Sequence, residues 1–474
     1  MHGDSKNTAE MRYMLASIPS KTNVGMSQLL PGQHLEFNDG NIKIDSISID
    51  TRTLKPGDCY VAIKGSQFDG HDFVLQAEEL QASAIICESL QKVNIPQVVV
   101  ANTQGALAKL GRANRQNNKA KIIGVTGSNG KTTVKEMIAV ILGEVGQTLA
   151  TIGNLNNDIG VPLTLLRLNK SDDFGVIEMG ANHPEEIAYL GQCAEPDVGV
   201  ITNISEAHLE GFESLEGVAK TKCELLESLS KSGVAVLNKD DAFFDFCVDR
   251  AGSSRVISFG LSALADVSPV AIKSQLREGQ FMTRFTIKYQ QELFDVKVGL
   301  VGDHNIKNVL AASAVALALG VEYQYIQKGL EKVKPVPGRL EPYVMPNGGV
   351  LINDTYKANP ASLTAALTVL KEIGGDFWVV LGAMGELGEE SRLLHIEVGR
   401  QIKSMGAMRL LAIGPDAKST TDAFGKGAIF FETQEAMITT LKKELTGSET
   451  ILVKGSRMQK MENIVNALMH GGGN

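Results

Sequence analysis

Cysteine is scarce and odd in number: five in 474 residues, with no Cys-x-x-Cys pair. That excludes a disulfide framework and a cysteine zinc site, and reduced thiols in a cytoplasmic protein are the expectation. Long hydrophobic runs are missing too. No stretch of about 18 apolar residues occurs, so no segment is expected to span a membrane. Met1 to Glu10 are polar and mixed in charge, without the apolar centre of a signal peptide, and Met1–Thr8 reads as a loose tail. Basic charge is not in excess: 46 Lys+Arg against 54 Asp+Glu leave a net charge of -8. This excludes the broad basic surface of a non-specific nucleic-acid binder, so any affinity for phosphate must be local. Repeats and low-complexity tracts are absent as well.

What is present looks globular. Hydrophobic residues make up 43% and charged residues 21% of the chain, and 48 glycines suit an α/β protein with many tight turns. At about 150 residues per domain the length suggests about three domains. The zones read as 1–118, 119–331 and 332–474. The first holds strand-like runs at Ile42–Ile49 and Cys59–Ile63 and a helical stretch from Phe73 to Leu80; the polar segment Gly111–Lys121 reads as the helix end and linker that close it. The second opens with a strand at Ile122–Thr126, followed by apolar runs at Gly175–Met179, Val198–Thr202 and Val234–Leu237 with helical patterns between them. That alternation argues a parallel sheet covered on both faces. Arg255–Val301 alternates polar and apolar residues, as a small antiparallel excursion would, and Asn305–Leu319 reads as a helix. After a break at Lys332–Arg339 the α/β rhythm resumes, with strands at Val350–Asn353, Trp378–Leu381, Leu410–Ile413 and Ile451–Val453.

Residues 122–133 read IIGVTGSNGKTT: a strand, a glycine-rich turn, Lys-Thr-Thr and then a helix. The strict Walker A spacing fails by one residue, because the first glycine falls at Gly124. The physics survives. Gly127 and Gly130 let backbone N–H groups turn toward an anion, and the helix N-terminus adds its positive end. Lys131 supplies a point charge, and the Thr132 hydroxyl can ligate Mg²⁺. The strings NKSD (169–172) and NKDD (238–241) resemble a guanine reader, but no DxxG switch follows the loop on a strand end, which disfavours a GTPase. Beyond the loop, Glu178 ends an apolar strand in the same sheet, where a carboxylate can hold Mg²⁺. His208 follows another strand end; taken alone it reads as structural. Lys222 lies in a helical stretch, and the bare sequence makes it a surface lysine.

The segments GVTGSNGKTT, GNLNNDIGVPLTLL, IEMGANHPEEI, ITNISEAHLEGF, GVAKTKCELLE, GDHNIKNVLAA and VPGRLE occur here in the order found in Mur ligases. From about Asp45 to Ala467 the chain resembles that family. NLNNDIGVPLTLL, the N-terminal SIDTRTLKPGDCYVAIKGSQFDGHDF and the loop DTYKANP (354–360) resemble the branch that adds D-alanyl-D-alanine. The resemblance implies an α/β, three-domain architecture. An N-terminal domain would bind the UDP-muramoyl-peptide. A central P-loop parallel-sheet domain would bind ATP, and a Rossmann-like C-terminal domain would bind the incoming dipeptide and close on ATP. It implies an ATP-dependent ligase joining D-alanyl-D-alanine to UDP-N-acetylmuramoyl-tripeptide through an acyl phosphate in peptidoglycan synthesis. The enzyme would be a monomer that uses Mg²⁺ and engages neither nucleic acid nor membrane.

Residue by residue, it implies the following. Asp50, Thr51, Arg52 and the turn Phe68, Asp69, Gly70 and His71 would lie near the nucleotide end of the substrate. Asn154, Asn156 and Asn157 would reach the same substrate from the central domain. Gly127, Ser128, Asn129, Gly130, Lys131, Thr132 and Thr133 would cradle the ATP phosphates, and Asn305 and Asn308 would face the adenine. Arg339 would reach the γ-phosphate and Asp354 the ribose. Thr132 would ligate one Mg²⁺; Glu178 and His208 would serve a second together with Lys222, the position that family members carbamylate. Lys131, Glu178, His208, Lys222 and Arg339 would form the catalytic set. Three departures stand out: Lys357 where the family commonly has Asn, Ala383 for an Asp, and Cys223 where Gly is frequent. A sister ligase, folylpolyglutamate synthase, a nucleotide-gated P-loop switch and a kinase are the rival readings; FDGHDF and NLNND disfavour the first two, the Glu178–His208–Lys222 set the third and the extra domain the fourth.

Overall fold

The computed structural model describes residues 44–65, 68–205, 209–277, 279–385 and 387–470. The expected tail at Met1–Thr8 lies outside the described residues. Three sheets follow one another along the chain.

The first has four parallel strands in sequence order: β1 (Ile47–Ser48), β2 (Cys59–Val61), β3 (Ala84–Cys87) and β4 (Gln97–Val99). Of the expected strand over 42–49, only two described residues pair. Asp45 is drawn to the turn at Gly57, where its N–H donates to Gly57 O and its carboxylate fills the space beside the glycine. A single helix, Thr103–Gln116, leads from this sheet to the next. It runs past the expected linker start at Gly111. An added Cβ at Gly111 would come within 2.9 Å of Pro162 Cα, so this glycine permits a close helix crossing instead of ending the helix. Asn114 Nδ2 secures the crossing by donating to Leu165 O and Leu168 O.

The central sheet has nine strands. They are β5 (Lys121–Thr126), β6 (Thr148–Ala150), β7 (Phe174–Glu178), β8 (Val198–Ile201), β9 (Val234–Asn238), β10 (Arg255–Phe259), β11 (Val267–Arg277), β12 (Gln280–Tyr289) and β13 (Glu292–Val298), in the spatial order 13-12-11-10-9-8-5-7-6. Strands β5 to β10 are parallel, and their apolar runs are buried on both faces, as covered parallel strands require. Helices 131–142, 303–318 and 323–332 cover one face and helices 186–194, 215–227 and 244–251 the other. Antiparallel pairing is confined to β11–β13. Arg255–Phe259, read from sequence as part of that excursion, is parallel to β9, so the hairpins extend the main sheet. From β5 the chain first builds β6 and β7 to one side and then β8 onward to the other. The order therefore reverses at β5, and a crevice opens at the carboxyl ends of the strands there.

The third sheet comprises β14 (Glu341–Val344), β15 (Val350–Asp354), β16 (Phe377–Gly382), β17 (Arg409–Ile413), β18 (Ala428–Phe431) and β19 (Thr450–Lys454), ordered 14-15-19-16-17-18. All neighbours are parallel except the β14–β15 pair. The last strand thus inserts between β15 and β16, placing Lys454 in register with Asp354.

All five cysteines are free and buried, and Cys223 and Cys247 make a thiol–thiol contact at 2.9 Å between two helices. The Gly111 crossing carries a test. A G111V substitution forces a branched side chain against backbone and is expected to cost about 2 kcal/mol. Urea unfolding reads it as a lowered midpoint; an unchanged midpoint would show that the helices have room to part.

Candidate active site

A crevice of about 1360 Å³ is lined by residues of the central and third sheets with their loops and by Asn102, Gln104 and Gly105 at the start of the helix that leaves the first sheet. Its floor is the loop between β5 and helix 131–142. Gly127 has φ 142° and Gly130 φ 81°, values that favour glycine. Both glycines are also hemmed in: an added Cβ would lie 2.0 Å from Thr202 Oγ1 at Gly127 and 2.6 Å from Asn308 Oδ1 at Gly130.

The segment after β8 buttresses this loop. Ser128 N donates to Asn203 O at 2.9 Å, Asn129 N to Asn203 Oδ1 at 3.1 Å and Thr202 Oγ1 to Asn129 O at 2.6 Å. Ser128 Oγ donates to Ser205 O at 2.9 Å. Sequence reasoning singled out only His208 in this stretch; Thr202, Asn203 and Ser205 shape the loop, and their signal was a polar run directly after a strand. His208 lies outside the described residues.

Lys131 Nζ turns back to Gly127 O at 2.7 Å and Ser128 O at 3.4 Å. Burial holds its ammonium well below the usual lysine range; Lys222, Lys357 and Arg339 add to the effect and Glu178 opposes it. Thr132 Oγ1 donates to Glu178 Oε1 at 3.3 Å and accepts from Arg339 Nη2 at 3.2 Å. Glu178 is buried at the end of β7; its Oε1 also accepts from Asn156 Nδ2 at 2.8 Å, while its Oε2 is buried without a hydrogen-bond partner. A bare, buried carboxylate oxygen beside a P-loop hydroxyl fits a magnesium ion. Among the described residues no group of three His, Cys, Asp or Glu converges. Mg²⁺ does not require one, because it binds through one or two carboxylates, water and substrate phosphates.

Lys222 is buried, 2% exposed, in contrast to the surface lysine that the bare sequence indicates. Its ammonium lies 5.3 Å from the Phe212 ring centre. Burial pushes its pKa down to about 8; Lys357 reinforces this, and Glu186 and Glu224 oppose it.

Helix 303–318 brings Asn305 and Asn308 into the crevice. Asn308 Nδ2 donates to Asn305 Oδ1 at 3.3 Å, and Asn305 Nδ2 to Val301 O at 2.9 Å. The neighbouring His304, not singled out from sequence, also lines the crevice, and burial lowers its pKa to about 4. Asn154 and Asn157 line the crevice as well, and Asn157 Oδ1 accepts from Gly160 N at 2.9 Å.

From the third sheet come Arg339, stacked 4.5 Å from the Tyr356 ring centre, and Asp354. Asp354 engages both oxygens with protein: Oδ1 accepts from Leu340 N at 3.2 Å and Oδ2 from the buried Lys454 Nζ at 2.6 Å. Lys135 is another buried lysine that the sequence did not mark. Its Nζ donates to Thr151 O at 2.7 Å, and Thr151 Oγ1 accepts from Glu178 N at 3.0 Å, tying the P-loop helix to the strand that carries Glu178.

Asp50, Thr51, Arg52 and Phe68–His71 do not line this crevice. They gather by the first sheet around Tyr60, whose hydroxyl donates to Gly70 O at 3.0 Å and whose pKa is raised by burial and by Asp50 and Asp69. Arg52 Nε donates to Asp50 Oδ1, Thr51 Oγ1 donates to Gln76 Oε1, and Phe68 is half exposed. His71 is fixed between Asp69 Oδ1 (2.6 Å from Nδ1) and Glu88 N, which donates to Nε2 at 2.8 Å.

The crowding at Gly127 gives a prediction. In G127A the added methyl meets both the disfavoured φ and Thr202, a strain of about 1–3 kcal/mol. Affinity for a fluorescent ADP analogue is expected to fall about tenfold or more, equivalent to ~1.4 kcal/mol. Wild-type affinity would mean that the loop does not hold the phosphates.

Comparison with known proteins agrees with this geometry. Residues 43–128 match the Mur ligase family catalytic domain, 125–316 the Mur ligase middle domain and 338–457 the Mur ligase glutamate ligase domain. The UDP-N-acetylmuramoyl-tripeptide–D-alanyl-D-alanine ligase of Escherichia coli K12 is 40% identical over 95% of this chain and 99% of its own. A crystal structure of MurF from Acinetobacter baumannii superposes with a TM-score of 0.88 at 34% identity, covering 96% of this chain and 99% of that one. MurF from Thermotoga maritima, solved in complex with ADP, gives 0.80 at 29% identity over 90% and 97% of the two chains. The family models together span most of the chain and the relatives match it over nearly their full length, so the chain belongs to the Mur ligase family.

Proposed function

We propose that the protein is an ATP-dependent ligase that joins D-alanyl-D-alanine to UDP-N-acetylmuramoyl-tripeptide, releasing ADP and phosphate. The observation that carries this reading is the crevice itself. It is lined by Lys131, Glu178, Arg339 and Lys357, from two different sheets, and the buried Lys222 acts on Lys131 from behind its wall, in a chain nearly full-length with D-alanyl-D-alanine ligases. The setting is peptidoglycan precursor synthesis in the cytoplasm, which serves cell shape and division.

The reaction concentrates negative charge. The substrate carboxylate attacks the γ-phosphorus, the bond to ADP breaks, and an acyl phosphate forms. The dipeptide amine then adds to the acyl carbon, loses a proton, and phosphate departs. Nothing in this sequence requires a protein nucleophile; positioning and opposing charge suffice. The backbone N–H groups of Gly127–Thr133 cradle the phosphates, and Lys131 leaves its carbonyl contacts to meet them. Arg339 neutralises the γ-phosphate, while Asn305 and Asn308 hold the adenine and Asp354 the ribose. Asn154, Asn156 and Asn157 orient the muramoyl peptide, whose nucleotide end lies toward Asp50–Arg52 and Phe68–His71. Thr132 and Glu178, with His208 and a carbamylated Lys222, would hold Mg²⁺, which when bound screens the phosphate oxygens.

Carbamylation needs an unprotonated amine. The amine nitrogen attacks carbon dioxide and loses a proton, leaving –NH–COO⁻. With a pKa near 8, about a quarter of Lys222 is neutral at pH ~7.5, against about a thousandth for an ordinary lysine. The product exchanges a cation for an anion, which suits a site crowded with positive charge.

Phosphate release that requires both acceptor and dipeptide, with a product mass gain of one D-alanyl-D-alanine less water, is the expected result. Release with other amino acids but not the dipeptide would indicate a sister ligase; no release with any acceptor would overturn the ligase reading. For Lys222, ¹³C-labelled carbon dioxide at fixed dissolved concentration is expected to give a carbamate NMR signal. That signal should grow from pH 7 to 9 as the ammonium deprotonates and be missing in K222A. K222A should lose about 100-fold or more in kcat, with partial recovery in acetate. Wild-type kcat in K222A would remove this residue from the mechanism.

A further inference from the structure

Lys454 ends β19 with 1% exposure, opposite Asp354 in the parallel register. Its Nζ donates to Asp354 Oδ2 at 2.6 Å and to Lys357 O at 2.8 Å. Through Asp354 Oδ1 the pair also holds Leu340 N at 3.2 Å. One ammonium therefore fixes two segments: the turn that carries Arg339 and the loop 355–359. These segments meet again where Tyr356 N donates to Gly338 O at 3.0 Å and where Arg339 stacks on Tyr356.

Both segments reach the P-loop. Arg339 Nη2 donates to Thr132 Oγ1 at 3.2 Å, and Asn359 Nδ2 donates to Asn129 Oδ1 at 3.2 Å. A buried ion pair is a poor device for stability alone, since well-packed apolar residues often serve as well. It is a good device for fixing direction, because its hydrogen bonds are short and charge-assisted.

We infer that Lys454 is a positioning residue for the phosphoryl-transfer step: its ammonium sets the Arg339 turn and the 355–359 loop so that they meet the P-loop across the γ-phosphate end of the crevice. This rests on the ligase reading above.

The test is a double-mutant cycle in the full chain: wild type, K454M, R339A and K454M/R339A. K454M is expected to lower kcat by about 10- to 100-fold, as a misplaced catalytic group does. KM for UDP-N-acetylmuramoyl-tripeptide should stay within about twofold, because that substrate is bound mainly from the other two sheets. Adding K454M to R339A should cost little more than R339A alone, since the two act as one unit. Additive losses, wild-type kcat in K454M, or equal changes in every KM would overturn the assignment. If K454M does not melt cooperatively, K454Q, which keeps a donor, runs the same cycle; collapse of both would overturn it in favour of a purely structural pair. Affinity for a fluorescent ATP analogue is measured across the same four proteins, with the same non-additivity expected. If the wild type makes no product, the ligase reading falls while the nucleotide cycle still decides the role of Lys454.

Discussion

Repulsion among like charges at one place governs much of this molecule. Lys222, Lys357 and Arg339 all act on Lys131, and Lys357 acts on Lys222, at a crevice in which Glu178 is the acidic group that offsets Lys131. Low-dielectric walls strengthen every such interaction. Burial first, and this repulsion in addition, makes the ammonium groups of Lys131 and Lys222 give up protons more readily than ordinary lysines. An anion entering the crevice relieves the repulsion, and the more charge it brings the greater the relief. In a chain of net charge -8, this makes the crevice a local concentration of positive charge.

The cations arrive in pairs from two sheets. Lys131 and Lys222 belong to helices on the central sheet, Arg339 and Lys357 to loops of the third. Repulsion between the pairs opposes docking of the third sheet; the Arg339–Thr132 and Asn359–Asn129 hydrogen bonds favour it. A polyanion between the pairs reverses the sign of the electrostatic term. Under the proposed function, docking of the third sheet and phosphate binding would be one linked event, with the Asp354–Lys454 pair keeping the docking loops in shape.

How much of this the sequence discloses follows from how local each signal is. The P-loop, β5, β7, β8, β9 and four strands of the third sheet (β15, β16, β17 and β19) were legible because they rest on contiguous patterns; β6, β14 and β18 were not read from the sequence. Glu178 was legible in place, at a strand end, but not in burial, since an isolated strand-end Glu reads as solvated and only packing buries it. Lys222 was not, since a single lysine in an amphipathic helix looks solvated until its neighbours are known; only the family resemblance picked it out. Lys454 depends on register between distant strands, and Lys135, His304 and the Thr202–Ser205 buttress on packing between segments distant in the chain; no local pattern encodes either. Arg255–Phe259 alternates like a hairpin strand yet lies parallel to β9 on one side and to β11 on the other, with its polar Ser258 buried and bonded to Asp266. Cys223, standing where glycine is frequent, fills the space against Cys247 and so belongs to packing rather than chemistry.

Lys357 shows how a departure from the family pattern joins the same electrostatics. An asparagine there would be neutral; the lysine adds a charge that bears on both Lys131 and Lys222. Its backbone is held by Lys454, so the added charge comes on a fixed loop. Toward a protonated Lys222 it is repulsive, which favours the free amine that carbon dioxide needs. Toward a carbamate it is attractive. One substitution would thus act on both sides of the proposed carbamylation in the same direction, destabilising the reactant ion and stabilising the product ion.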